Sequence, residues 1–359
     1  MNMSVLLSSF DKSPNHGFTM HGWAFTSGDI VDSMRGHRML NPAVELGTNA
    51  CPWNCSFCFT EDPSNPDGRK RRLENELSIE RRLRLIDELA ELGSRSINFV
   101  GAGEPTIDPN FWQLVDRMCE RNITPIIYTE GTLRLRNDDF AKRLFDTGAT
   151  VVLKMNSLTN SEYQNEIVAG TRSKGQIPSF DYTTERNKVL ESLLEMGFAR
   201  STPTRLAFDT IVTRRNISEI EDLHRFARTN NIFVLLVNYL PSGRSSNLQD
   251  DAITREEQHA LFKRLADIDV QEFGLEHATC FAYGGGVPCS IRGLGMFVKI
   301  TGEVFDCPGE SRRLGDLSDL PLAAIWEQAR DLSQGFDGLC FPREQFWRRL
   351  AQVTDSNQQ

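Results

Sequence analysis

Cys51-Pro52-Trp53-Asn54-Cys55-Ser56-Phe57-Cys58 is the stretch on which the reading of this chain turns. It sets three cysteines on one short loop, with three residues in the first gap and two in the second. Thiolates so spaced can ligate three irons of a cubane iron–sulfur cluster. The fourth iron then has no protein ligand and can take a small molecule. A structural cluster or a zinc site normally draws four protein ligands from nearby. Three close cysteines without a fourth suggest a site left open for chemistry. A zinc knuckle or chance cysteines are the competing readings.

The flanking sequence sets the loop in a fold. Ala43-Val44-Glu45-Leu46-Gly47-Thr48 reads as a short buried strand ending just before the cysteines. A long helix should follow the loop. Ser96-Ile97-Asn98-Phe99-Val100 then reads as a second strand, running into Gly101-Ala102-Gly103-Glu104-Pro105. Taken alone, that segment is equally an ordinary strand-to-helix turn.

Taken together, the motif and its turn resemble the signature of the radical S-adenosylmethionine (radical SAM) superfamily, with the aromatic Phe57 before the last cysteine. The resemblance implies a 4Fe–4S cluster on Cys51, Cys55 and Cys58, with SAM chelating the open iron. One electron then cleaves SAM to methionine and a 5′-deoxyadenosyl radical, which abstracts hydrogen from a substrate. The electron would come from an external donor such as flavodoxin or ferredoxin. The family carries a Gly-Gly-Glu-Pro turn that meets the amino group of SAM. Here Ala102 interrupts the glycine pair, and Gly103, Glu104 and Pro105 remain. Phe57, Gly101, Gly103, Glu104 and Pro105 are therefore candidate cofactor contacts.

Outward from these motifs, strand and helix alternate. Further strands are predicted at 125–129, 150–155, 206–212 and 233–239. Helices are predicted near 79–93, 109–122, 137–147, 183–198 and 217–230. Such alternation gives parallel strands with helices outside. Six βα units are too few for a closed eight-stranded barrel. They fit the open, partial (β/α)6 TIM-like barrel that the resemblance implies, in an α/β chain. Site residues of such barrels lie at strand C-terminal ends. The expected organisation is an N-terminal extension over 1–42, the barrel over 43–275 and a small extension over 276–359. His16, His21 and His37 read as surface residues, and Cys119 as a core residue on an apolar helix face.

Other strand ends add polar candidates. Thr129 begins Thr129-Glu130-Gly131-Thr132, where many family members have Thr-Asn-Gly-Thr. Asn156 and Ser157 follow strand four and could hydrogen-bond the ribose or carboxylate of SAM, or equally lie on an exposed loop. Arg214 follows strand five. Arg244 follows strand six and could pair a carboxylate of SAM or substrate, or serve as a surface ion pair.

Four cysteines come late: Cys280, Cys289, Cys307 and Cys340. Between the middle two, Met296–Cys307 reads as a hairpin with a Thr301-Gly302 turn. Cys289, twelve intervening residues, Gly302, four more residues and Cys307 give a spacing similar to the SPASM or twitch extension of radical SAM enzymes. That resemblance implies one auxiliary 4Fe–4S cluster on Cys289, Cys307 and Cys340, with Cys280 as fourth ligand. A zinc site or reduced spare thiols compete. Cys280 has a second reading as a catalytic thiol that donates hydrogen, as in radical SAM epimerases.

Composition frames the rest. The chain has 359 residues, 39% of them hydrophobic, enough for a packed core. Its formal charge is −9, from 40 basic and 49 acidic residues, which argues against a general nucleic-acid or membrane-surface binder. No apolar run reaches membrane-spanning length, and the start lacks a signal-peptide pattern. A cytoplasmic location is expected, where eight cysteines stay reduced. The substrate is expected to be a small polar molecule, such as a sugar, aminocyclitol or nucleoside. Dehydrogenation or epimerisation in natural-product or antibiotic biosynthesis would follow. The alternative is a maturase that oxidises or cross-links a peptide.

Overall fold

The computed structural model describes residues 16–26, 29, 33, 38–60, 70–169, 181–238, 243–247, 249–275, 294–309 and 312–333. Six strands run parallel, each beside the next: β1 (Ala43–Gly47), β2 (Ser96–Gly101), β3 (Thr124–Thr129), β4 (Thr150–Lys154), β5 (Leu206–Val212) and β6 (Phe233–Asn238). Between and after them come α1 (Ile79–Glu91), α2 (Phe111–Glu120), α3 (Asp138–Asp146), α4 (Ser161–Ala169), α5 (Tyr182–Met196), α6 (Ile220–Thr229) and α7 (Arg255–Phe273). This is the partial (β/α)6 barrel of the expected α/β class.

The helix starts follow from side chains that satisfy free backbone N–H groups. Ser78 accepts from Arg81 N, Asn137 from Phe140 N, and Asp181 from Thr183 N and Thr184 N. Thr254 and Glu257 cap α7 reciprocally. The sequence reading missed two helices. Helix α4 divides the β4–β5 connection, and α7 follows β6.

Strand alternation sorts the core into two layers. Leu46, Phe99, Ile127, Leu153 and Phe208 face outward into the helix layer. Ile126, Val152, Ala207 and Leu235 face the lumen, where Met20 and Trp23 pack against them. The N-terminal segment thus fills the lower part of the barrel. Met20 bridges to Thr204, and Trp23 Nε1 donates to Asn98 Oδ1 at 2.8 Å. Burying one such side chain contributes about 1.5–3 kcal/mol. The histidines are tied in as well. His16 bonds the Arg228 carbonyl at 3.2 Å and packs on Phe273, and the His21 backbone joins Thr204 at 2.8 Å. His37 lies outside the described residues. Cys119 is half-buried against the helix-layer core.

Beyond β1 the sheet continues. β7 (Phe297–Val298) pairs parallel to β1, and β8 (Glu303–Phe305) and β9 (Arg313–Asp316) follow antiparallel. The predicted hairpin is β7–β8. It turns at Gly302, and buried Cys307 sits just past its end. Glu45 of β1 accepts from Ile300 N at 3.0 Å and holds the hairpin to the barrel. Helix α8 (Leu322–Ser333) follows. Cys280, Cys289 and Cys340 lie outside the described residues. Among the described residues no helix is long and apolar enough to cross a membrane.

Candidate active site

The cysteine loop leaves β1 under tight backbone control. Asp108 Oδ2 accepts from Thr48 N at 2.7 Å and from Arg82 Nη1 at 2.9 Å, and Arg82 also donates to the Leu46 carbonyl at 2.7 Å. Glu76 accepts from Thr48 Oγ1 and Asn49 N. The turn after β2 then docks on the loop. Gly103 N donates to Thr48 O, and Glu104 N to Ala50 O, both at 3.1 Å. A Cβ on Gly103 would lie 2.1 Å from Ala50 O, so only glycine fits this approach.

The far ends of the barrel converge on the same loop. Ser56 N donates to Ile167 O of α4 at 3.0 Å, and Trp53 meets Tyr182 of α5 edge-on at 5.4 Å. After β6, Arg244 N donates to Cys58 O at 3.0 Å, and its guanidinium reaches Asn54 Oδ1 and Cys55 O. Of the candidates, the structure therefore gathers Phe57, Gly101, Gly103, Glu104, Pro105 and Arg244 around Cys51, Cys55 and Cys58. Arg244 grips loop carbonyls here. Arg214 is turned to a half-exposed ion pair with Glu257 at 2.9 Å.

Glu104 is buried and accepts four hydrogen bonds. Thr106 N, Thr106 Oγ1 and Thr129 Oγ1 bond Oε1 at 3.1, 2.7 and 2.7 Å, and Glu130 N bonds Oε2 at 3.0 Å. Burial pushes its pKa above the ordinary carboxylate value against those bonds. Glu130, in the family's asparagine position, bends back onto its own turn. It accepts from Thr132 Oγ1 at 2.6 Å and Leu133 N at 2.8 Å. Burial and then the Glu104 charge raise its pKa to about 8.

At the end of β4, Asn156 and Ser157 are fully buried. Gln164 Oε1 accepts from both backbone N–H groups at 2.7 and 3.0 Å. Arg186 of α5, also fully buried, donates to the Lys154 and Ser157 carbonyls. Asn156 Nδ2 and Gln164 Nε2 are donors without an acceptor among the described residues. Two amides short of an acceptor beside a buried guanidinium suit a carboxylate or hydroxyl ligand.

The lumen carries a charged pair that the sequence reading passed over. Lys154 Nζ meets Asp209 Oδ2 at 2.9 Å and lies 4.3 Å from the centre of the Phe57 ring. Tyr128 stands close enough for the Asp209 charge to oppose its ionisation, after burial. Period-two alternation along Thr150–Lys154 puts Lys154 on the lumen face with Val152, and that signal was available in the sequence. Arg186 had no comparable signal.

The thiols fit a cluster. Burial is the first cause raising Cys51 and Cys55, Cys55 to about 12, and neighbouring thiolates repel in addition. Three thiolates in one dry loop need bound cations, which deprotonate thiols outright. Among the described residues no three ligating side chains already surround a single point. A cubane spreads its irons, and so its thiolates, wider than one zinc ion would.

The Radical SAM superfamily profile matches residues 46–227, from the end of β1 into α6. The chain belongs to the radical SAM superfamily. Its cofactors are S-adenosylmethionine and 4Fe–4S clusters. Over 271 residues it is 26% identical to the mycofactocin maturase MftC of Mycolicibacterium smegmatis, covering 73% of this chain and 62% of that protein. Over 179 residues it is 30% identical to an S-adenosylmethionine-dependent nucleotide dehydratase of Flammeovirga pacifica, covering 49% and 54%. The chain thus spans between half and two thirds of these relatives. The structure of Streptococcus suis SuiB bound to S-adenosylmethionine superposes with a TM-score of 0.60 at 17% identity, over 83% of this chain and 69% of that one. SuiB has also been solved with its precursor peptide SuiA.

Proposed function

We propose that this radical SAM enzyme modifies a peptide. The observation that carries this reading is the match to a maturase over nearly three quarters of the chain. The fold shared with SuiB, which has been solved with a precursor peptide, is consistent with it. The expectation of a small sugar-like substrate gives way to the peptide alternative. The nucleotide dehydratase relative keeps a nucleotide as the second reading.

In this reading Cys51, Cys55 and Cys58 hold the cluster. When bound, the cluster and SAM supply reductive cleavage and hydrogen-atom abstraction. Gly101, Gly103, Glu104 and Pro105 shape the turn that receives the amino end of SAM. Asn156 Nδ2, Gln164 Nε2 and Arg186 offer donors for its carboxylate and ribose. Lys154 and Asp209 present charge to the substrate side of the lumen. Residues 276–359 form the auxiliary-cluster extension, with Cys280, Cys289, Cys307 and Cys340 as ligands.

The test is anaerobic incubation of reconstituted protein with SAM, dithionite and pools of short peptides, nucleotides or aminocyclitols. Peptides should raise 5′-deoxyadenosine formation above the substrate-free rate and should themselves change mass. Stimulation by nucleotides or aminocyclitols but by no peptide would overturn the peptide reading.

A further inference from the structure

Lys70 is buried, 6% exposed, beside the cysteine loop. Its backbone pairs with Cys51 in both directions, at 3.1 and 3.2 Å. Its ammonium meets no carboxylate among the described residues. It donates instead to the Thr60 carbonyl at 3.1 Å, the Thr60 hydroxyl at 2.5 Å and the Ala102 carbonyl. A buried ammonium served only by neutral oxygens is costly and normally answers a negative charge.

Among the described residues that charge has one candidate in reach. The Thr60 hydroxyl lies 2.9 Å from Ala102 O and 3.5 Å from Cys58 Sγ. The hydroxyl has one proton and two acceptors. Lys70 already donates to Ala102 O, so that oxygen keeps a donor if the hydroxyl turns to sulfur. As a cluster ligand Cys58 is a thiolate, and the bond from Thr60 is then charge-assisted. Hydrogen bonds to ligand sulfurs and nearby charge are levers on cluster potential.

We infer that Lys70 and Thr60 form a relay that raises the reduction potential of the cluster at Cys58. Reduction adds one negative charge to the cluster. A cation two hydrogen bonds from a ligand sulfur favours the reduced form. Both residues act through Cys58 and are positioning residues. The inference rests on the assignment of Cys58 as a ligand.

The experiment is a potentiometric titration of the reconstituted protein with dithionite, followed by electron paramagnetic resonance. The signal to follow is the one that changes on adding SAM. Lys70→Met should lower the midpoint by at least a tenfold change in the reduced-to-oxidised ratio, 59 mV for one electron. Thr60→Val should lower it less, and Lys70→Arg and Thr60→Ser should restore it. Should Lys70→Met fail to fold or to load iron, Thr60→Val decides. An unchanged midpoint in the loaded variants overturns the relay and leaves the cluster assignment standing. A wild-type protein with no SAM-responsive signal overturns both.

Discussion

Gly243 lies against the Cys58 carbonyl so closely that a Cβ would come within 2.6 Å of it, and its φ is +59°. The turn after β6 is thereby pressed onto the cysteine loop, and Arg244 N donates to the same carbonyl. Gly243→Ala combines roughly 1–2 kcal/mol of left-handed strain with a backbone clash. The expected result is severalfold lower iron content after reconstitution, with far-ultraviolet circular dichroism unchanged. Full iron loading would show that this contact does not shape the loop.

Much of this arrangement was legible beforehand, and the reasons differ by element. The cysteine spacing pointed to the candidate site and the strand pattern around it reported the parallel barrel, because both signals are local. Helix α7 also announced itself through Thr254 and Glu257, a signal the reading overlooked. The lumen pair Lys154–Asp209 joins residues 55 positions apart and needs strand register as well as parity. The role of Met20 and Trp23 as filling for the lower barrel was hidden because their partners come from four different strands.

Glu104 anchors four donors, so its substitution should be felt twice. Glu104→Gln replaces the oxygen facing Glu130 N with an amide donor, or forfeits the bonds to Thr106 and Thr129. Bonds to charged groups are worth about 1.5–3 kcal/mol, so the melting temperature should fall. SAM affinity should weaken by about one to two decades, measured calorimetrically. Loss of stability with unchanged SAM affinity would make Glu104 a scaffold residue only.

Glu130 gives the stability a pH dependence. Its pKa in the folded chain is raised above the ordinary 4.5, first by burial and then by the Glu104 charge. Above that value the unfolded chain is ionised while the folded one keeps its proton, so the folded state binds more protons. Stability contributed by the protonated form is present below the ordinary value and is lost as pH rises toward the raised one. Glu130→Gln should flatten that decline in urea melts between weakly acidic and mildly alkaline pH. Parallel curves for variant and wild type would refute the assignment.

Arg82 and Asp108 are an ion pair at 2.9 Å, with side chains 3% and 1% exposed. Removing one partner of a buried pair costs about 3–5 kcal/mol, because the other charge stays buried. Arg82→Met also strips the Leu46 carbonyl of its donor just before the cysteine loop. It should therefore lower both the urea midpoint and iron retention. Destabilisation below about 1 kcal/mol, the range of an exposed pair, would remove this pair from the account of the loop.

Lys154 and Asp209 separate substrate chemistry from cofactor chemistry. The pair lies on the lumen face, and only the Lys154 ammonium touches the cysteine loop, through the Phe57 ring. In Asp209→Asn the ammonium keeps that ring contact, so the loop should stay in place. Iron content and SAM affinity should then match the wild type. Substrate-free formation of 5′-deoxyadenosine should stay within about twofold, a barrier change well under 1 kcal/mol. The substrate-dependent stimulation should be lost, because the lumen no longer offers an anion beside Tyr128. Lys154→Met should lose the stimulation too, with a small additional fall in iron loading from the bare Phe57 ring. If Asp209→Asn stops SAM cleavage in the absence of substrate, the pair belongs to the cofactor site and not to the substrate.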